Sequence, residues 1–514
     1  MAHAPPRFRI TGIELFEAPV RLRMPFRFGV VTLTQCEQAW VRVHIEGEGG
    51  LKGTGAAAEL LSPKWFDKNP ALSNEQNLDQ LREVLYLAAQ AYTADAAPHS
   101  ATTAFGHFAR HHEAHRQAAA RRGHNPLLAS YGPALIDRAV LDALCRACGL
   151  GFFQALQRNL PGVGGEPLAA APTATAGAFS SFDFNAFLAS RAPAATIAAR
   201  HTVGLADPIT AADVEEPLHD GLPQTLEAVI ARYGHRHFKL KLSGQIEADL
   251  QRLHAIASVL DRAEHDYLIT LDGNEQFTDP APLVELAQRL RTTPALQRLA
   301  RSVSFVEQPF HRDVALQAGR PAPDIGWPLL IDESDGTLEA FEQARALGWH
   351  GVSSKTCKGL YKSLLNAARC AAWNASRHAA GHAPCNAPSV APRGAASTAQ
   401  PYFQSAEDLT LQPGLALQQD LALVSLLGIP HVERNGHHYV DGMRGRPAAE
   451  QAAFAHAHAD LYERATAPDG HTVTRVRIEQ GRLAIGSLAS APGFASAVLP
   501  DFQAMQALAS PPST

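Results

Sequence analysis

The sequence predicts an α/β protein: a (β/α)8 TIM-type barrel with an α+β capping domain built from the N-terminal region and the C-terminal tail. Three observations predict it. From about residue 198, eight short apolar runs alternate with segments whose apolar residues recur at helical spacing. Ahead of them, two segments alternate apolar and polar residues as antiparallel strands do. Several of the short runs also end in a charged residue, as barrel strands do when their C-terminal ends line an active-site mouth.

The eight runs are "ARHTVGL", "HFKLKL", "YLITLD", "SVSFVE", "WPLLIDE", "HGVSSK", "PYFQSAED" and "IPHVER". Segments such as "IEADLQRLHAIASVLDRA" and "YKSLLNAARCAAWNASR" supply the helices between them. Repeated strand–helix units imply a parallel sheet, and eight of them imply closure. The cap begins with "FRITGIELFEAPVRL" and "QAWVRVHIEGEGGLKGTG" as strands, with "RMPFRFGVVTLTQ" between them read as a loop. Residues from about Asn74 to Gly149 read as helical. There His107, His111 and His115 share one helix face, read as solvated in preference to a metal site, since "HHEAHR" lacks the second His of HExxH. The tail segment "HTVTRVRIEQGRLAIGSL" is expected to pair with the cap. The resulting division is 1–195 cap with helical insertion, 196–445 barrel, and 446–514 a segment returning to the cap.

With 514 residues, 46% of them hydrophobic, the chain has material for a large core. A net charge of -5 with mixed signs and no basic block argues against nucleic acid. No apolar run reaches the ~18 residues of a membrane span, and the N-terminus lacks a signal-peptide pattern, so a cytoplasmic protein without membrane contact is expected. Six cysteines in this length form no disulfide framework. The pair Cys145 and Cys148 lies in a helical run and reads as small apolar packing. The HxH of His235 and His237 also reads as structural.

Asp272, Glu307 and Asp332 end three consecutive barrel strands, Lys355 ends the next, and Lys239 and Lys241 share one face of "FKLKL". Barrel topology brings all of them to one mouth. Three carboxylates converging there repel and raise one another's pKa values unless a cation intervenes. An all-oxygen set without His or Cys favours Mg²⁺, with Mn²⁺ as the alternative. Lysines across the site are proton-transfer groups, and near a dication a partly desolvated Lys drops toward about 7–8 and becomes a base. Such a pocket suits abstraction of a proton next to a carboxylate.

At these residues the chain resembles the enolase superfamily, and within it the muconate-lactonising-enzyme-like subgroup of the mandelate racemase/muconate lactonising enzyme family. The resemblance runs through "KLK", "DGN", "EQP", "DES" and "SSKTCKG" in order, each at its own strand end, and covers most of the chain. It implies Mg²⁺ on Asp272, Glu307 and Asp332, with Asn274 supporting the site and Glu333 ranked behind the ligands. It also implies Lys241 and Lys355 as the acid/base pair, with Lys239 holding the Lys241 pKa down by like-charge proximity. The implied reaction starts from an enolate of a small-molecule carboxylate and ends in racemisation or epimerisation, cycloisomerisation or dehydration. Family habit implies a homo-oligomer.

Specificity is expected from the cap, with Phe28 as a substrate contact and Arg23 or Arg27 either binding a distal carboxylate of the substrate or standing as surface residues. Glu407 and Asp408, after the seventh strand, are candidates for a polar or cationic substrate group, a helix N-cap being the alternative for Asp408. Trp65 and Phe66 read as cap packing ahead of pocket lining. "RTTPALQRLARS" reads as an extra loop away from the mouth. Two readings of other classes are a Schiff-base lysine aldolase-type barrel using Lys355 and a catalytically silent binding protein on the same fold.

Overall fold

The structure is a computed structural model and describes residues 4–28, 31–94, 100–165, 179–379, 400–409 and 412–511. The expected linker around 162–179 and the loop at 378–400 fall largely outside the described residues.

The cap is a four-stranded antiparallel sheet backed by three helices. Strands β1 (Phe8–Phe28), β2 (Val31–Gly47) and β3 (Lys52–Leu60) run in the order β1-β2-β3. Apart from residues 29–30, which lie outside the described residues, the "RMPFRFGVVTLTQ" segment is strand and not loop. It is the end of the β1–β2 hairpin, paired from Phe26↔Leu33 to Phe28↔Val31 after an irregularity between Arg21 and Phe26. Its β-branched and aromatic residues favour a pleated ribbon, and Phe26 and Leu33 bury their side chains beneath it.

Helix α1 (Asn74–Thr93) starts with a capping box between Ser73 and Gln76. Helix α2 (Ala104–Ala120) is capped by Thr103, and α3 (Pro126–Ala147) by Asn125 with Pro126 in its first turn. Helix α3 is buried along almost its whole length between β3 and the barrel. Gly55 permits that approach: a Cβ there would stand 2.1 Å from the Ala143 nitrogen.

The histidine face of α2 is packed, not solvated. His107 Nε2 bonds the Phe8 carbonyl at 3.0 Å, His115 Nε2 bonds the Ala129 carbonyl at 2.9 Å, and His111 stacks on Tyr92. Spacing identifies a common face, but the Phe8 strand and α3 decide what covers it. Cys145 is buried and Cys148 half-buried, and both are free thiols.

Eight parallel strands follow: β4 (Thr196–Val203), β5 (His237–Lys241), β6 (Leu268–Asp272), β7 (Val303–Glu307), β8 (Leu329–Ile331), β9 (Gly351–Ser354), β10 (Phe403–Ala406) and β11 (His431–Arg434). Pairing of β11 with β4 closes the barrel. "RTTPALQRLARS" is helical rather than a loop: it spans the end of the Pro280–Thr292 helix, a 3-10 turn, and the helix Gln297–Ser302 leading into β7.

The tail does not pair as expected. Strands β12 (Tyr462–Thr466) and β13 (Thr472–Val476) form their own hairpin, and β14 (Arg482–Ala484) joins the start of β4. The cap instead receives β15 (Gln506–Ala507), which pairs with Phe16 and Glu17 of β1. No helix among the described residues is long and apolar enough to cross a membrane.

Candidate active site

Strand register sets the site. Lys241 pairs with Asp272, and Asp272 with Glu307, so a lysine and two acids leave adjacent strands at one height. Glu307 pairs with Leu330, two residues before Asp332. All six candidate groups, Lys239, Lys241, Asp272, Glu307, Asp332 and Lys355, are buried. Lys241 Nζ lies 2.6 Å from Asp272 Oδ2, and Lys355 Nζ lies 2.7 Å from Asp332 Oδ2. Strands β5 and β9, which carry these lysines, have three strands between them in either direction round the barrel. Both lysines nevertheless line one cleft of about 430 Å³.

Lys239 occupies the centre. Its ammonium contacts Asp272 and Glu307 at 2.8 Å, Glu407 at 2.8 Å and Glu433 at 2.9 Å. Burial alone would lower its pKa, but the surrounding carboxylates outweigh that and hold it well above the ordinary lysine value. Lys355 is likewise raised despite burial, chiefly by Asp332. Neither group therefore shows the depressed value expected of a lysine near a dication.

The carboxylates are unequal. Burial opposes ionisation of Asp272 and Asp332, yet their lysines hold both below the usual carboxylate range. Glu307 goes the other way: burial, then the neighbouring Asp272 and Glu407, push it well above that range. Its Oε2 has Lys239 nearby but makes no hydrogen bond of good geometry. Asn274 Oδ1 and Glu333 Oε2 are also buried without a hydrogen-bond partner. Buried acceptors left unpaired are costly, and a hard cation is the natural partner for an oxygen set of this kind. The donor chemistry therefore suits a hard cation, although the oxygens of Asp272, Glu307 and Asp332 do not all stand within 4.8 Å of one another here.

The chain after β6 and β7 is held in an unusual conformation. Asn274, Glu275 and Gln308 all have positive φ, at 40°, 69° and 32°, a region that non-glycine residues seldom adopt. Gln308 accepts hydrogen bonds from the Asp332 and Ser334 amides and donates to the Phe310 carbonyl and Ser334 Oγ. It thereby ties the exit of β7 to that of β8. Glu333 lies beyond the end of β8, where strict alternation lapses. It turns toward the cap, with Lys68 Nζ at 3.1 Å and Asn274 Nδ2 at 3.4 Å.

Other expected contacts lie elsewhere. Arg23 is clamped by Asp220 at 2.5 Å and donates to the carbonyls of Leu222, Pro223 and His438, which locks the β1 hairpin to the barrel. Arg27 is exposed and does not line the cleft. The Phe28 side chain is outside the described residues. Glu407 is enclosed by Arg200, Lys239 and Ser405 and does not line the cleft. Asp408 lines the cleft, where it accepts from the Asn435 amide at 3.0 Å and pairs with Arg434 at 3.1 Å.

Trp65 lines the pocket, with its ring 4.1 Å beneath Lys355 Nζ, whereas Phe66 packs on Tyr131. Sequence reasoning also missed Glu433, Lys358 and Lys68. "IPHVER" carries its acid at a strand end, so the rule that found Asp272 would have found Glu433. Lys358 donates to Ser353 Oγ at 2.6 Å behind Asp332. Lys68 reaches the site from the cap, and no local signal marks it.

The site is thus the mouth of a closed parallel barrel that gathers lysines and acids beneath an α+β cap. The chain belongs to the Enolase C-terminal domain-like family, whose model matches residues 222–498, and so to the enolase superfamily. Similar solved structures include a muconate lactonizing enzyme from Pseudomonas fluorescens complexed with muconolactone (17% identity, 98% of each chain covered, TM-score 0.53). Others are a dipeptide epimerase from Enterococcus faecalis V583 complexed with Mg and the dipeptide L-Leu-L-Tyr (16% identity, 85% of this chain and 93% of that one, TM-score 0.53), and an isomerase from Streptomyces coelicolor A3(2) (16% identity, 96% and 97%, TM-score 0.52). At these identities the likeness is one of fold. No curated protein matches the chain.

Proposed function

We propose that this protein removes the proton α to the carboxylate of a small-molecule substrate, with Lys241 and Lys355 exchanging protons from opposite sides of the substrate. The observation that carries this reading is the placement of the two lysines, with three strands between them in both directions yet lining one cleft and each held by its own acid. Asp272, Glu307 and Asp332 would hold the metal, Mg²⁺ or Mn²⁺. When bound, that ion supplies the positive charge a developing enolate needs.

The chain's own residues do the remaining work. One lysine takes the α-proton as a neutral amine, and the other delivers a proton as an ammonium. Lys239 remains an ammonium and balances the acids below them. Gln308 and Lys358 position Asp332. The cleft's cap side is Phe26, Leu33, Leu60 and Trp65 with Ser62 as its one polar member, and no arginine lines it among the described residues. This lining supports a substrate whose distal part is apolar, in place of the distal carboxylate that Arg23 would have bound.

Epimerisation is the outcome that two opposed lysines support best, because reprotonation from the far side inverts the α-carbon. The test is proton NMR in D₂O with Mg²⁺, starting from apolar dipeptides and N-acyl amino acids and including muconolactone. Wild type is expected to exchange the α-proton of both epimers. Lys241→Ala and Lys355→Ala should each lose exchange with the opposite epimer, by at least ~10²-fold. Full exchange of both epimers in both variants would sink the assignment.

A further inference from the structure

We propose that His201, His235 and His437 form a second metal site, outside the barrel, for a divalent transition ion of the zinc class. One ring nitrogen from each of the three lies within 4.8 Å of the others. The three come from β4, the entry to β5, and the short helix Gly436–Tyr439 after β11. Their strands are contiguous, because the barrel closes between β11 and β4. On β4, Thr202 faces inward, donating to Glu433 at 2.6 Å. Its neighbour His201 faces the opposite way, so this cluster is separate from the carboxylates at the mouth.

The ring chemistry suits a metal. His235 Nδ1 bonds the Ala199 carbonyl at 3.0 Å, which fixes the hydrogen there and leaves a bare lone pair on Nε2. That Nε2 is buried and has no partner. A backbone carbonyl on the far nitrogen is the usual support of a ligating imidazole. His201 Nδ1 and His437 Nε2 share a hydrogen bond at 3.2 Å, whose proton an ion would displace. Two nitrogens of a tetrahedral zinc site, each about 2.0–2.1 Å from the ion, stand about 3.3–3.4 Å apart. Burial keeps all three rings neutral, as ligation requires.

The cations nearby are already compensated: Arg23 by Asp220, Arg475 by Asp441, and Arg434 by Asp408 and Asp420. His437 opens onto a cleft of about 310 Å³ lined also by Tyr233, Glu463 and Arg475. The cleft supplies an entry path to His437. Imidazole donors select zinc, cobalt, nickel or copper over magnesium, so the two sites take different ions. The other histidine of the HxH, His237, packs on His431 and takes no part. An ion here would bridge the seam where the barrel closes.

The test titrates metal-stripped protein with Co²⁺ in saturating Mg²⁺, which keeps the oxygen site filled. One equivalent of Co²⁺ with the intense visible absorption of four-coordinate cobalt is expected, displaced by Zn²⁺, with a raised melting temperature. His235→Gln and the rim variant His437→Gln should weaken binding at least about 100-fold, while Glu307→Gln keeps the absorption. Absence of the band in folded wild-type protein overturns the proposal. So does a band that survives both histidine variants, or one that is lost in Glu307→Gln.

Discussion

Lys239 on β5 and Glu433 on β11 meet at 2.9 Å across 194 residues of sequence, and the same ammonium also touches Asp272, Glu307 and Glu407. One cation thus joins four strands at the base of the site. Removing one member of a buried charged network typically costs about 3–5 kcal/mol, because the partners remain buried and uncompensated. Lys239→Met is therefore expected to lose stability on that scale in urea unfolding without metal. Lys241→Ala, which frees one carboxylate still paired with Lys239, should lose far less. Equal destabilisation by the two would show that Lys239 is not the hub.

The uneven carboxylates make a prediction about metal. Glu307 is the acid least served by the lysines, while Asp272 is already doubly paired. Glu307→Gln should therefore leave metal-free stability unchanged or raise it, and should abolish Mg²⁺-dependent α-proton exchange. Asp272→Asn should abolish exchange and also destabilise the metal-free protein. Exchange that persists in either variant, or after exhaustive chelation, would rule out the metal assignment.

The barrel and its charged mouth were legible because both rest on local periodicity. Alternation aims Lys239 and Lys241 inward together, and a strand ending in an acid places that acid at the rim wherever its neighbours lie in sequence. Glu433 followed the same rule and was overlooked. Arg23, Lys68 and Trp65 obey no such rule, since their partners come from remote segments brought together only by docking of the cap. The α2 histidines fall between these cases. Helical spacing gave their common face, but solvent and a packed strand are indistinguishable from spacing alone.

Arg23 tests the division between packing and recognition. Its guanidinium is engaged by one carboxylate and three carbonyls, so Arg23→Ala strands Asp220 and removes the hairpin's anchor. A stability loss of about 3–5 kcal/mol is expected. The ratio of kcat/KM between substrates with and without a distal carboxylate should stay the same. A selective loss for the diacid would return Arg23 to the substrate.

Glu275 links the cap to the barrel, and that link should be sensitive to acid. Its carboxylate pairs with Lys68 of the cap at 2.6 Å and with Arg312 at 2.8 Å, and Arg312 also donates to the carbonyls of Trp65 and Phe66. Burial would raise the Glu275 pKa, but the two cations prevail and lower it from 4.5 to about 2. A depressed carboxylate pKa gives stability that is fully present above about 4.5 and is lost as pH falls from there toward 2. The contribution is on the order of 3 kcal/mol. Glu275→Gln should thus be less stable than wild type at pH 6 by about that amount, and the gap should narrow as urea unfolding is repeated at pH 4 and then pH 3. Because Trp65 lies under Lys355, loosening this latch should also raise KM more than it lowers kcat. A gap that stays constant between pH 6 and pH 3 would mean that Glu275 is not the ionised partner in this contact.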